Sequence, residues 1–217
     1  MFVVARISDP GLSAAQRLAY AQRYTALRIS GLERSPHAFS STLATEARLS
    51  DHEKLARLQE PGKTIFVCIN SETDEWVGQV TLIGPQTRAE YDRPFRILPS
   101  TASARSPSLS DDHATDSYWH MTALYVDDRI RGRGLARLLC NECFQWIGAG
   151  QLRIIIKPDN TTVLQMYERM GFETQQGKAA LLEAIHASRD GVDQLPPEAH
   201  LDPSYTHRGG IVMVKRI

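Results

Sequence analysis

A strand that runs directly into a glycine turn and then into an amphipathic helix leaves few folds open. Residues 118–147 are such a segment. Tyr118 to Val126 (YWHMTALYV) reads as a strand rich in aromatic and β-branched residues. From Arg133 to Ile147, Leu135, Leu138, Leu139, Cys143, Trp146 and Ile147 recur at helical spacing. Between them lies Asp127-Asp-Arg129-Ile-Arg131-Gly132-Arg133-Gly134. Glycine lets backbone N–H groups turn inward and lets a ligand approach closely. Those amides, with the start of a helix, make a cradle for an anion. Arg129, Arg131 and Arg133 add positive charge, so the segment asks for a phosphate or pyrophosphate.

Two familiar phosphate motifs do not fit. The dinucleotide fingerprint needs a third glycine where Arg137 stands, and no acidic residue ends a second strand about 20 residues on. The nucleotide P-loop needs Gly-Lys-Ser/Thr, which is absent. A glycine turn that merely links strand to helix is the plain alternative.

Upstream, Phe2 to Ile7 reads as a short strand and Ser13 as the N-cap of a helix from Ala14 to about Leu32, broken at Ser35-Pro36. A second helix is expected from about Thr45 to Gln59, ended by Pro61-Gly62. Thr64–Asn70 and Trp76–Ile83 form a hairpin around Ser71–Glu75. From about Pro85 to Ser117 no period is sustained, and Pro99 to Ser117 is low in complexity and expected to be mobile. Downstream come a buried strand at Leu152–Ile156 and a helix opened by Pro158-Asp159-Asn160. Val163, Met166, Tyr167 and Met170 lie on one face of that helix, and Gly171 is its C′ residue. A strand starting at Phe172, a helix over about Lys178–Ser188 and a last strand at Gly210–Arg216 complete the chain. Strands mixed with helices predict a sheet with helices packed on it, and 217 residues suit one domain over 1–217.

The 25 basic and 25 acidic residues cancel, which argues against a nucleic-acid partner. Cys68, Cys140 and Cys143 are too few for a disulfide scaffold. The pair Cys140 and Cys143 sits mid-helix and reads as core packing rather than a metal site, so no metal is expected. No signal peptide or membrane span is read, which makes a soluble cytoplasmic protein the default, with the nucleus open.

The pattern Arg-x-x-Gly-x-Gly after a strand resembles the pyrophosphate-binding motif of the GNAT superfamily of acyl-CoA-dependent N-acetyltransferases. A strand follows, then Asn160-Thr-Thr-Val163-Leu-Gln-Met166-Tyr167-Glu-Arg-Met170-Gly171-Phe172, similar in order and spacing to that family's next helix and its Tyr-x-x-x-Gly-Phe end. The specific resemblance covers about Tyr118 to Phe172, and Ser35-Pro36-His37-Ala38-Phe39 also looks like the N-terminal half of many members.

The resemblance implies an α/β (α+β) fold: a mixed, twisted, mostly antiparallel sheet of about seven strands, helices on both faces, splayed between two central parallel strands. It implies acetyl-CoA as co-substrate. Its pantetheine arm would pair with backbone groups of Leu124, Tyr125 and Val126. Its pyrophosphate would be held by amides from Arg129 through Arg131, Gly132, Arg133, Gly134 and Leu135 to Ala136. Asn160 matches a pantetheine contact and also reads as a plain N-cap. Tyr167 matches the general acid that protonates the leaving thiolate, against a plain reading as a helix-face core tyrosine. The base is not fixed by the family. His120 and Tyr118 share a strand face, and His120 has a suitable ordinary pKa near ~6.5, against a satisfied structural histidine.

Two regions depart from a minimal member, about 85–117 and 174–208, and are expected to choose the acceptor. Their charges are mixed, with no acidic patch for a polycation. A small-molecule primary amine is the first choice. A protein lysine or N-terminus is the in-class alternative, and a non-catalytic acyl-CoA-binding module the one from another class. A homodimer through the last strand is open, although nothing in the sequence demands it.

Overall fold

The computed structural model describes residues 1–36, 42–99 and 117–217. In chain order the elements are β1 (Phe2–Arg6), α1 (Ala14–Arg34), α2 (Leu43–Ala47), α3 (Asp51–Leu58), β2 (Lys63–Asn70), β3 (Glu75–Gln86), α4 (Arg88–Asp92), β4 (Tyr118–Val126), α5 (Leu135–Ile147), β5 (Gln151–Ile156), α6 (Thr161–Arg169), β6 (Glu173–Ala180), α7 (Leu181–Ser188), α8 (Pro203–Thr206) and β7 (Arg208–Arg216). The strands form one mixed seven-stranded sheet in the order β1-β2-β3-β4-β5-β7-β6. The sheet is not closed, and β4 and β5 are its parallel pair. The expected fold class is met.

The chain divides into two compact units, Met1–Ile83 with Ala123–Trp146, and Gly84–Thr122 with Ile147–Ile217. In the first, β1 and the β2–β3 hairpin are antiparallel, with Arg6 opposite Phe66 and Asn70 opposite Glu75. Ile7, Tyr24, Leu27, Leu58, Ile65 and Trp76 are among the residues of its apolar cluster. Ser13 caps α1 in a reciprocal box with Gln16, as the sequence predicts. The single helix expected over 45–59 is two helices, because Ser50 and Glu53 form a second capping box that starts α3. Glu46 of α2 is buried between Arg28 of α1 at 2.7 Å and Arg57 of α3 at 2.6 Å. These two cations hold its carboxyl below the usual range despite burial.

In the second unit β5, β7 and β6 run antiparallel, Leu152 opposite Lys215 and Glu173 opposite Val214. β7 therefore has a partner along each side, which removes the edge through which a dimer was open. The region after Pro85 is not structureless throughout. Thr87 and Glu90 form a capping box that starts α4, and a 3-10 turn follows at Arg93–Arg96. The helix expected from Lys178 begins instead at Leu181, because the ladder with β7 holds Lys178 and Ala179 extended. Leu98 packs with Ala180, Leu182 and Ala199, and Phe95 with Ala179 and Val212. The two regions that depart from the minimal pattern thus share a core within this unit. Arg208 joins them further: it donates to the Pro99 carbonyl at 3.4 Å and pairs with Glu183 at 2.8 Å. The expectation of mobility at 99–117 and the resemblance at His37–Phe39 fall almost wholly outside the described residues.

Candidate active site

In the first unit the end of β4 leads through a short 3-10 turn, Asp128–Ile130, to the glycines and α5. Asp127 is 4% exposed, and its carboxylate caps that turn by accepting the Arg129 amide at 2.9 Å. The same carboxylate pairs with Nη2 of the Arg129 guanidinium at 2.6 Å, and Glu75 accepts from that same nitrogen at 2.8 Å. The arginine holds the Asp127 carboxyl down to about 2, even against its burial. Arg131 donates to the Val126 carbonyl at 3.1 Å and to the Ser35 hydroxyl at 3.1 Å. The cationic residues expected to face a phosphate are therefore not equivalent: Arg129 and Arg131 hold the turn in shape. Asp128 pairs with Arg34 at 3.2 Å.

The glycines behave as the sequence predicts. Gly132 (φ +80°) and Gly134 (φ +76°) are both left-handed, and a Cβ on either would meet open space within 4 Å. Gly134 stands at the N-cap position of α5, since the Leu138 amide donates to its carbonyl at 3.0 Å. It has no side chain with which to cap. The Leu135, Ala136 and Arg137 amides precede the first intrahelical bond, and helix geometry gives them no acceptor within α5. The site is a helix mouth with donors presented and room in front of them, which fits a pyrophosphate. Beneath it Leu135, Leu139, Cys140 and Cys143 are buried, while Leu138 and Trp146 are partly exposed. Burial pushes the Cys140 thiol up to about 12 and Cys143 well above the ordinary value, which suits core packing. No group of metal-ligating residues occurs among the described residues, and no described helix is long and apolar enough to cross a membrane. Leu124 is half-buried, and Tyr125 and Val126 are buried.

In the second unit α6 carries Asn160 and Tyr167. Asn160 is the N-cap, accepting the Val163 amide at 3.4 Å. Tyr167 is buried at 5% exposure and packs edge-on against Phe172, ring centroids 5.1 Å apart. Its carbonyl receives the Met170 and Phe172 amides, so the Tyr-x-x-x-Gly-Phe end is a closed helix terminus turning at Gly171 (φ +83°). At the start of β4, Tyr118, Trp119 and His120 pair in parallel with Gln151, Leu152 and Arg153 of β5. His120 is 2% exposed, and burial together with the Arg153 charge pulls its pKa well below 6.5. Beside it Arg153 is 1% exposed and Tyr91 fully buried. Neither is legible as a functional candidate from composition. The one available signal is a lone Arg at an inward position of the apolar run LRIII. The first unit thus gathers Leu124 to Ala136, and the second gathers Asn160, Tyr167 and His120.

The model of the acetyltransferase (GNAT) family matches residues 32–172. A solved GNAT acetyltransferase from Streptococcus pneumoniae has a TM-score of 0.58 at 12% identity, covering 100% of both chains. Arabidopsis thaliana NAA60, solved in complex with acetyl-CoA, has a TM-score of 0.54 at 13% identity, covering 100% of this chain and 99% of that one. An uncharacterized Mycobacterium leprae protein is 31% identical over 61 residues, which are 28% of this chain and 17% of that protein.

Proposed function

The chain belongs to the acetyltransferase (GNAT) family, and on that premise we propose that it moves the acetyl group of acetyl-CoA to a primary amine by direct attack in a ternary complex. The observation that carries this reading is the mouth of α5. Unused amides and two left-handed glycines stand there with open space around them. In this reading the amides from Arg131 to Ala136 hold the pyrophosphate, because those of Arg129 and Ile130, expected to share in it, already donate to Asp127. Backbone groups of Leu124, Tyr125 and Val126, with Asn160, hold the pantetheine arm. Arg129 is already committed to Asp127 and Glu75, so the anion is met chiefly by the amides, the helix end and Arg133.

The amine must arrive neutral, although alkyl amines lie near a pKa of ~10. Its nitrogen forms the new bond to the acetyl carbon, and the carbon–sulfur bond breaks. A hydroxyl that donates to the departing sulfur lowers that barrier, since a thiol near ~8.5 is a better leaving group than a bare thiolate. Tyr167 takes this role. His120 is the candidate to pass on the proton of the amine, directly or through water; burial and the Arg153 charge disfavour its protonated form, so in this reading it relays the proton rather than keeps it. A small-molecule amine is the acceptor class favoured here. Glu183, the acidic residue that Arg208 neutralises at 2.8 Å, does not contribute an acidic surface for a basic peptide.

A thiol-release assay tests this, with acetyl-CoA and a panel of amino sugars, polyamines, amino-acid-like amines and lysine peptides. Turnover on a small amine, with intersecting rather than parallel initial-velocity lines, is the expected outcome. Preference for a peptide would move the assignment to the protein-acetylating alternative. Tight acetyl-CoA binding with no turnover on any acceptor would leave a binding module.

A further inference from the structure

Arg153 is a buried cation that makes no direct ion pair among the described residues, and the Asp92 carboxylate acts on it only from a distance. Alternation along β5 puts it on the same strand face as Gln151. The parallel register sets Tyr118 opposite Gln151 and His120 opposite Arg153. Tyr91 of α4 closes over this patch. Its ring centroid lies 3.8 Å from the Arg153 guanidinium carbon, Phe95 adds a second ring at 4.7 Å, and Tyr91 also packs on Tyr118 at 5.1 Å. Arg153 Nη1 donates to the Tyr91 carbonyl at 2.8 Å. Asp92, next along α4, is taken by Arg88 at 2.7 Å and Arg96 at 3.9 Å.

Four polar side-chain atoms of this patch are buried with no hydrogen-bond partner: Arg153 Nε, Tyr91 Oη, Gln151 Nε2 and His120 Nδ1. The Gln151 side chain approaches the Tyr91 hydroxyl, but neither atom completes a bond. Arginine, tyrosine and the amide nitrogen are all donors, and a guanidinium does not lose its proton in a protein. A buried donor left without a partner is costly, and an unpaired buried charge costs more. Water would satisfy the donors but leave the charge. Rings at 3.8 and 4.7 Å soften the charge without cancelling it.

We propose that Arg153, Tyr91 and Gln151 form an internal site for a small monoanion, such as formate, acetate or chloride. The anion accepts from Arg153 Nε, Tyr91 Oη and Gln151 Nε2. A planar carboxylate matches the guanidinium edge best, because two parallel N–H···O bonds can form there. The near-complete burial of Arg153 and Tyr91 favours a resident ion of few atoms over the end of a long ligand. The site lies wholly within the second unit, and its anion-binding groups, Arg153, Tyr91 and Gln151, have no part in the proposed acetyl transfer, although His120 borders them.

The test uses the full chain freed of small anions in MES buffer. Sodium formate is titrated in at constant ionic strength, balanced with sodium MES, whose sulfonate is too bulky for the site. A saturable rise in the unfolding midpoint is expected, with matching saturable broadening of the ¹³C-formate signal. Arg153→Met abolishes both. Should that variant fail to fold, Tyr91→Phe and Gln151→Leu each weaken the apparent Kd about fivefold, the loss of one hydrogen bond. Tyr167→Phe leaves the formate curve unchanged, so failure of the catalytic reading is told apart from failure of this one. An unsaturable response in the wild-type chain, or identical curves in the wild type and the Tyr91 and Gln151 variants, overturns the proposal. Either result would mean that the chain itself meets the Arg153 charge.

Discussion

Tyr167 and Gly134 have separable tasks in the proposed reaction, one chemical and one purely spatial. Tyr167→Phe keeps the packing on Phe172 and removes only the hydroxyl. Turnover is expected to fall about 10²-fold, the usual scale for a lost general acid, with acetyl-CoA affinity little changed. Steady-state kinetics beside calorimetry checks this, and unchanged turnover removes Tyr167 from the mechanism. Gly134→Ala should do the opposite. Its Cβ meets nothing in the protein, so stability drops only by the left-handed backbone cost of about 1–2 kcal/mol. The added carbon projects at the helix mouth, where the pyrophosphate is proposed to lie. KM for acetyl-CoA is therefore expected to rise at least roughly tenfold, equivalent to about 1.4 kcal/mol of binding. A KM equal to the wild type's moves the phosphate elsewhere. Asp127 supplies a pH dependence. Its carboxyl lies at about 2 in the folded chain against an ordinary 3.8. A depressed carboxylate adds stability above the unfolded value and loses it as the pH falls toward the folded one. With Arg129 half exposed, the contribution is on the order of 1–2 kcal/mol. Asp127→Asn should be weaker by that amount at pH 7 in urea unfolding, with the gap closing between about pH 4 and pH 2. A gap that stays constant over this range would show that the pair is not the cause.

Elements were legible where a periodic face and a cap agreed. Ser13 with Gln16 opens α1 as expected, and Asn160 opens α6. Where the apolar period is short, the cap alone carries the signal. Ser50-x-x-Glu53 and Thr87-x-x-Glu90 are capping boxes in plain sight, yet the apolar pattern runs α2 and α3 together and shows no helix at α4. A five-residue helix such as α4 has too few turns to display a 3.6-residue period. The error at Lys178 is of another kind. That segment has helical character, but β7 offers its backbone a ladder, and long-range pairing overrides local preference. Gly150 belongs to this scale as well. It has φ +147°, and a Cβ there would run into the Ser117 carbonyl oxygen, where β4 and β5 begin side by side. Gly150→Ala is expected to cost about 3 kcal/mol or more, from strain and overpacking together. Differential scanning calorimetry of Gly150→Ala beside Gly134→Ala should rank Gly150→Ala as far the more damaging, and the reverse order would contradict both assignments.

For the molecule as a whole, the proposed co-substrate should act as a stabiliser, because only the folded chain presents the helix mouth. At a free concentration about 100 times Kd, the gain is roughly 2.7 kcal/mol. For a chain of this length that corresponds to a rise in Tm of about 5–10 °C. Coenzyme A should give a comparable rise, and Gly134→Ala should blunt it; a flat response to either ligand denies the chain its acyl-CoA site.

What the sequence determined by itself is local in origin. A strand, two glycines and a helix start within a few residues of one another, and Asn160 to Phe172 is one helix with both its ends. Backbone conformation and capping there depend on immediate neighbours. Tertiary structure decided what depends on partners far along the chain. It committed Arg129 to Asp127 and Glu75, buried Glu46 between Arg28 and Arg57, and enclosed His120 beside Arg153 under Tyr91. Charge and burial are properties of a three-dimensional neighbourhood, and an arginine reads the same in one dimension whether it faces solvent, a carboxylate or an aromatic ring.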